Sequence, residues 1–303
     1  MRSASLTILL CIFECIGVVL AICTVSEHQG DSGRRVQCQN ASLHSVLSQP
    51  SSNVGTMMIL NSMLRQIPER AFDNYSTSLQ ILNIRKCGIR EIHEGAFYGL
   101  ARLKRLSLSD NDIAAVKEEW FRDTVYLEQL DLSYNKISTL QPIIFSKMLL
   151  LKRLDLTENR LACFDYNSLP GGIDKVYFAG NPLSFLCRGK MTLWMRDHGV
   201  SYKSGTDEKE TWLDKLLWLC AIDDPAAAES ELLIKQCVIM NLFNQLRTGL
   251  TTADSYPRYF SKCVDPGYFL IDCVLKEAEP HRTDTNANVI SNLLLYLRHA
   301  KSG

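Results

Sequence analysis

Residues 79–92 read LQILNIRKCGIREI, 103–116 LKRLSLSDNDIAAV, 127–140 LEQLDLSYNKISTL and 151–164 LKRLDLTENRLACF. The leading residues Leu79, Leu103, Leu127 and Leu151 step by 24 each time. A degenerate earlier copy, VGTMMILNSMLRQI, starts at Val54, and a shorter step leads to IDKVYFAGNPLSFL at Ile173. Self-similarity at a fixed period of this size marks a solenoid, in which each unit buries its apolar side against the next. In the LxL core of each copy the two apolar residues point inward from a short strand, and the residue between them faces solvent. The asparagines that follow, Asn111, Asn135, Asn159 and Asn181, turn inward. Their amides then satisfy backbone groups that would otherwise be buried unpaired. The first two copies carry Ser62 and Cys87 at that place. Cys87 is expected there as a buried free thiol, with a bridge as the alternative. Phe72, Phe97, Phe121 and Phe145 recur at the repeat spacing and should fill the other half of the core.

The pattern LxxLxLxxNxLxxL is that of a leucine-rich repeat. The expected fold class is therefore α/β: a leucine-rich repeat solenoid of about six copies over residues 54–184, with cysteine-containing caps and a C-terminal helical region. Upstream, residues 24–53 form an N-terminal cap with Cys38, Leu43 and Val46. Downstream, residues 185–205 form the C-terminal cap. The stretch NPLSFLCRGKMTLWMRDHGV from Asn181 resembles the cap common in extracellular repeats of this type, through Asn181, Pro182, Cys187, Leu193 and Trp194. The adjacent cysteine pair usual in such caps is reduced here to Cys187. Residues 206–303 carry no repeat and read as helices over Glu210–Ile222, Pro225–Arg247, Pro266–Glu277 and Asn286–Lys301. Asp224-Pro225 is a helix-start signal. The apolar faces of these helices need a partner surface, either each other in a small bundle stapled by cysteines or another subunit.

The chain has 303 residues, 33 basic against 33 acidic side chains and eleven cysteines. Zero net charge gives no electrostatic reason to expect nucleic acid or an anionic membrane. Residues 1–23 read as a secretory signal peptide: Arg2, then the apolar run Leu6–Cys23, then a polar stretch. Glu14 interrupts that run at a cost of roughly 2.5 kcal/mol or more for insertion, which counts against a permanent span. Ala21 and Cys23 would be the small residues before a cut near Thr24. Val289–Leu297 is too short for a later span. Such a cut discards Cys11, Cys15 and Cys23. The disulfide candidates that remain beside Cys87 are Cys38, Cys163, Cys187, Cys220, Cys237, Cys263 and Cys273. Asn40 and Asn74 lie in glycosylation sequons.

Enzyme signatures are absent from the sequence. The six histidines show no ligand spacing, and there is no HExxH, GxSxG, P-loop or CxxC. No cofactor, metal or catalytic residue is expected. Asp131 and Asp155 fall one repeat apart, about 4.8 Å between strands. An acid–base pair or a calcium site is conceivable there, against a default of solvated surface charge. The concave face is the better candidate for function. Arg85, Lys86 and Arg105 make its first half basic, while Asp131, Tyr134, Asp155, Glu158 and Tyr177 make its second half acidic and aromatic. A bipolar face with Arg and Tyr suits the orientation and anchoring of a protein partner.

Three segments, ILNSMLRQIPERAF, LNI…IREIHEGAF and EKETWLDKLLWLCAIDD, resemble the leucine-rich immune proteins of mosquitoes. The resemblance implies a secreted, non-enzymatic protein of insect innate immunity. It also implies partners among complement-like thioester proteins or a second leucine-rich repeat chain. Members of that family pair through disulfides and coiled coils; this chain departs in having no adjacent cysteine pair and no long heptad region, so covalent pairing and the thioester-protein partner do not carry over automatically. Readings outside immunity are an extracellular recognition or adhesion module, a receptor decoy, or an enzyme inhibitor.

Overall fold

The computed structural model describes residues 21–27, 33–204, 208–223, 227–238 and 240–241. The chain divides into two compact units, Met1–Leu156 with Asn167–Ile173, and Thr157–Tyr166 with Asp174–Gly303. The first unit holds strands β1 (Ile22–Glu27), β2 (Arg34–Gln39), β3 (Val54–Leu60), β4 (Gln66–Ile67), β5 (Ile81–Arg85), β6 (Glu91–Ile92), β7 (Arg105–Ser107), β8 (Gln129–Asp131) and β9 (Arg153–Asp155). Their main sheet runs β1-β2-β3-β5-β7-β8-β9, and β4 pairs with β6 apart from it. Every pair is parallel except β1 with β2, which is antiparallel.

The 24-residue period sets the register. Leu82 pairs with Leu106, Leu106 with Leu130 and Leu130 with Leu154, so identical inward side chains stack from repeat to repeat. All four are buried. Phe72, Phe97, Phe121 and Phe145 are buried too, and the rings of Phe72 and Phe97 stack 6.2 Å apart. The strands are short because the chain turns sharply after each one. The residue ahead of the ladder position has positive φ in every copy: Asn61 49°, Lys86 56°, Asp110 55°, Tyr134 55°, Glu158 53° and Gly180 71°.

That turn drives the ladder side chain inward among backbone groups. Asn111 Oδ1 accepts the N–H groups of Cys87 and Ile89 at 3.0 and 3.2 Å, while its Nδ2 donates to the carbonyls of Ile84, Leu108 and Ser109. Asn135 repeats this one step on, accepting from Ile113 N–H and donating to Leu108, Leu132 and Ser133. In the second unit Asn181 accepts from Leu161 N–H and donates to Phe178 C=O, both at 3.0 Å. Ser62, the first rung, accepts from Ala41 N–H at 3.1 Å and donates to Leu60 C=O. Cys87 is free and buried, and its thiol donates towards Arg85 C=O.

At the N-terminal side, a helix over Leu43–Leu47 is capped by Ser42, whose hydroxyl accepts from Ser45 N–H. The buried Tyr75 hydroxyl holds this segment by donating to Gln49 C=O at 3.0 Å, and burial raises its pKa above that of an ordinary phenol. Gly33, with φ 69°, sits where a Cβ would meet Asn53 O at 2.5 Å. Cys23 and Cys38 face each other across β1 and β2 and are bonded. The expectation that Cys23 belongs to a discarded leader left Cys38 to find another partner. In the structure the opposed strand positions supply that partner directly. Residues 1–20, the rest of the expected leader, lie outside the described residues; among the described residues no helix is long and apolar enough to cross a membrane.

The second unit holds strands β10 (Lys175–Tyr177) and β11 (Ser201–Lys203), paired in parallel, and helices Phe185–Asp197 and Glu208–Asp223. A further helical stretch covers 231–238. Cys163–Cys187 and Cys220–Cys237 are its disulfides. Cys187 therefore bonds without an adjacent cysteine beside it. Ser184 caps helix Phe185–Asp197 by accepting from Cys187 N–H. The Glu231 carboxylate accepts from the N–H groups of Phe185 and Leu186 at 3.0 and 2.8 Å, which also complements the positive end of the helix dipole. The side chains of Met191, Met195, Leu216, Leu217, Ile234 and Val238 are buried. Gly189 allows the close approach: a Cβ there would lie 3.3 Å from both Ile234 and Leu217.

The helix expected to start at Pro225 differs from what forms. A 3-10 turn occupies Ala227–Glu229, and the helix begins after Ser230, whose carbonyl accepts from Ile234 N–H. Pro225 itself lies outside the described residues, and Glu231, at the start of the helix that forms, binds the N-terminal end of helix Phe185–Asp197. The expected helices Pro266–Glu277 and Asn286–Lys301, together with Cys263 and Cys273, lie outside the described residues.

Within this unit Arg188 Nε meets Asp214 Oδ1 at 2.6 Å, with Arg188 5 % and Asp214 1 % exposed. Ser204 donates to the other carboxylate oxygen at 2.6 Å.

Two stability measurements check this account. Asn135→Ala leaves several inward backbone groups without partners, each costing about 1–3 kcal/mol, so urea denaturation should show a loss of at least about 2 kcal/mol. Asp214→Ala removes the buried carboxylate paired with Arg188 and should cost about 3–5 kcal/mol, seen as a lower midpoint for loss of helical circular dichroism.

Candidate functional site

The strand register defines the outward columns of the repeat face. One column runs Gln37, Met58, Asn83, Ser107, Asp131 and Asp155, in register from β2 to β9. The neighbouring column includes Thr56, Ile81, Arg105, Gln129 and Arg153. A third set, just after the strands, is made by the left-handed residues Lys86, Asp110 and Tyr134.

Of the eight residues expected on this face, Arg85, Lys86, Arg105, Asp131, Tyr134 and Asp155 fall in the first unit, while Glu158 and Tyr177 fall in the second. The first unit brings its six together on one side of the sheet, but their charges are more satisfied than the sequence suggests. Arg85 Nε lies 2.5 Å from Asp110 Oδ2. Asp110 was not among the expected residues, although its place one residue ahead of the ladder, 25 positions beyond Arg85, is readable from the repeat register. Asp131 Oδ1 accepts from Ser133 N–H at 3.0 Å and Ser133 Oγ at 2.6 Å, and its Oδ2 accepts from Ser107 Oγ at 2.8 Å. Asp155 has Arg153 at 3.9 Å.

Asp131 and Asp155 are paired positions of β8 and β9, as expected for a carboxylate couple. Both carboxylate oxygens of Asp131 are taken up by the local contacts with Ser107 and Ser133. Among the described residues no group of three His, Cys, Asp or Glu side chains could hold a metal ion.

Tyr134 differs from its neighbours. It is 52 % exposed, carries no formal charge, and is held at φ 55°. Left-handed backbone disfavours a residue with a bulky side chain by roughly 1–2 kcal/mol, and Gly, Asn or Asp suits it better. Asn61, Asp110 and Gly180 follow that preference at the same place; Lys86, Tyr134 and Glu158 do not. In the second unit Glu158 lies against Gly180, where any Cβ would collide with its carboxylate, and Tyr177 is half-buried on β10.

Of the sequons, Asn74 is exposed in the 3-10 turn Asp73–Tyr75. Asn40 is half-buried at φ 54°, just after β2.

A groove on another part of the first unit is lined by His93, Glu94, Tyr98, Trp120, Arg122 and Asp123. Two of its acids are engaged. Glu94 pairs with Lys117 at 2.9 Å, which holds it below the usual carboxylate range, and Asp123 accepts from Gly99 N–H at 2.8 Å.

The family model described as leucine rich repeat matches residues 52–113, 77–137 and 101–161. No curated protein matches the chain. Among solved structures, the chain is similar to that titled the crystal structure of the TLR13–ssRNA13 complex, at 23 % identity and a TM-score of 0.45. The match covers 52 % of this chain and 23 % of that one, so the chain spans about a quarter of its length.

The state of Cys87 can be read chemically. Burial pushes its thiol up to about 11, against a smaller opposite effect of the Ser62 N–H. Native protein at pH 8 should leave Cys87 unmodified by iodoacetamide, and the residue should react once urea unfolds the chain. Since the folded thiol stays neutral while an unfolded one ionises near 8.5, its contribution to stability is full below that pH and is lost as pH rises towards 11. A Cys87→Val variant, compared with the unaltered chain by denaturation from pH 8 to 11, should lack that component of the decline.

Proposed function

We propose that this leucine-rich repeat protein is a secreted, non-enzymatic binding protein that captures another protein on its repeat face, in insect innate immunity of the complement-like kind. Three disulfides, Cys23–Cys38, Cys163–Cys187 and Cys220–Cys237, suit an oxidising, extracellular setting. The repeat fold itself suggests protein partners. The immune assignment is supported by the resemblance of ILNSMLRQIPERAF and EKETWLDKLLWLCAIDD to the mosquito family. On that reading the partners are complement-like thioester proteins or a second leucine-rich repeat chain.

The observation that carries the binding reading is Tyr134. Strained backbone gathers at functional sites, where the strain is retained for what the side chain does. Here an exposed tyrosine occupies a position that asparagine would fill with less strain. Tyrosine supplies large contact area at low entropic cost and is favoured at interface hot spots. Lys86, exposed at the same slot two repeats earlier, flanks it with positive charge, and the Arg85–Asp110 pair lies between them.

Tyr134→Asn separates the two roles of the residue. Stability by urea denaturation should rise by up to about 1 kcal/mol as backbone strain is relieved. Recovery of partner protein from haemolymph, quantified by mass spectrometry after capture on the tagged chain, should fall at least tenfold. Recovery equal to that of the unaltered chain would count against the repeat face.

A further inference from the structure

We propose that the leader is cut at the Ala21–Ile22 bond, so that Cys23 stays in the mature chain as the covalent partner of Cys38. The inference rests on the secretion reading above and sharpens it to one bond. Strand β1 begins at Ile22, and its six residues pair in unbroken antiparallel register with β2, from Ile22 opposite Gln39 to Glu27 opposite Arg34. Ala21 is exposed and lies just outside that pairing. Cys23 and Cys38 are opposite each other and bonded, and Cys38 is fully buried.

A cut before Thr24 would remove two of the six register pairs and the disulfide together. It would leave Cys38 as a buried thiol at the edge of the sheet. A cut after Ala21 removes none of these contacts and still places a small residue at the scissile bond, as leader cleavage requires. In the reaction water adds across the Ala21–Ile22 amide, leaving a carboxylate on Ala21 and an amine on Ile22. The Cys23 and Cys38 thiols then lose two protons and two electrons to a dithiol–disulfide oxidant of the secretory compartment.

Parity supports the same bond. Retention of Cys23 leaves nine cysteines in the mature sequence, 23, 38, 87, 163, 187, 220, 237, 263 and 273. Three bridges use six of them, and Cys87 is buried and free. Cys263 and Cys273 remain, an even number. A cut before Thr24 would instead leave Cys38 as the odd thiol.

The test expresses the full chain in secreting insect cells and sequences the N-terminus of the protein in the medium. Disulfides are mapped on non-reduced peptides. The expected result is Ile22 at the terminus and a linked peptide pair carrying Cys23 and Cys38. In a Cys23→Ser variant, denatured under non-reducing conditions, one additional thiol or a reducible dimer through Cys38 should appear. A terminus at Thr24, or at any residue other than Ile22, overturns the proposal, as does a Cys38 joined elsewhere in the unaltered chain. Absence of the chain from the medium, with Met1 intact inside cells, would instead overturn the secretion reading on which the proposal rests.

Discussion

Each repeat ends its strand by turning the backbone inward, and a dry core cannot hold the polar groups that this turn exposes. Everything else in the repeat follows from that constraint. The asparagine amide is suited to it because one side chain both donates and accepts, and it can bridge two successive repeats. Asn111 and Asn135 each reach back to a carbonyl of the preceding repeat while accepting from the turn beside it. Leucine stacking supplies apolar burial, but stacking is indifferent to sliding by a turn. The ladder is directional, so it fixes the register that the leucines then fill.

The same turn has a cost on its outer side. It requires a left-handed residue ahead of the ladder, and six consecutive copies meet the requirement. Where that residue is Asn, Asp or Gly, the backbone is relaxed. Where it is Lys86, Tyr134 or Glu158, the chain retains strain at positions that point away from the core. The ladder thereby couples stability to the outward face, since the buried amide of Asn135 lies directly beside the exposed Tyr134. Along the face Arg85 pairs with Asp110 of the next repeat, and Asp131 accepts from the hydroxyls of Ser107 and Ser133.

The cysteines divide by environment rather than by count. Cys87 replaces a ladder amide and is kept protonated by burial. Cys23 and Cys38 close the first strand pair. Cys163–Cys187 and Cys220–Cys237 tie the second unit, whose helices are also held by the Glu231 cap and the buried Arg188–Asp214 pair. The latter contacts join residues 26 to 46 positions apart, and no periodicity announces them.

The repeat was legible in the sequence because one local rule, written four times in register, determines strand, turn and rung alike. Leu79, Leu103, Leu127 and Leu151 were enough to place the core, the ladder and the outward columns. Even the buried thiol at Cys87 could be read, since its position in the period implied its environment. Contacts made once, between segments with no common period, belonged to the tertiary structure alone. The pairing of Cys23 with Cys38 depends on an antiparallel strand that precedes the first repeat. The capping of helix Phe185–Asp197 by Glu231 depends on two helices meeting. Satisfaction of Arg85 and Asp131 depends on side-chain reach across strands. Periodicity carries information about what recurs; a single long-range contact is decided only when the chain has folded around it.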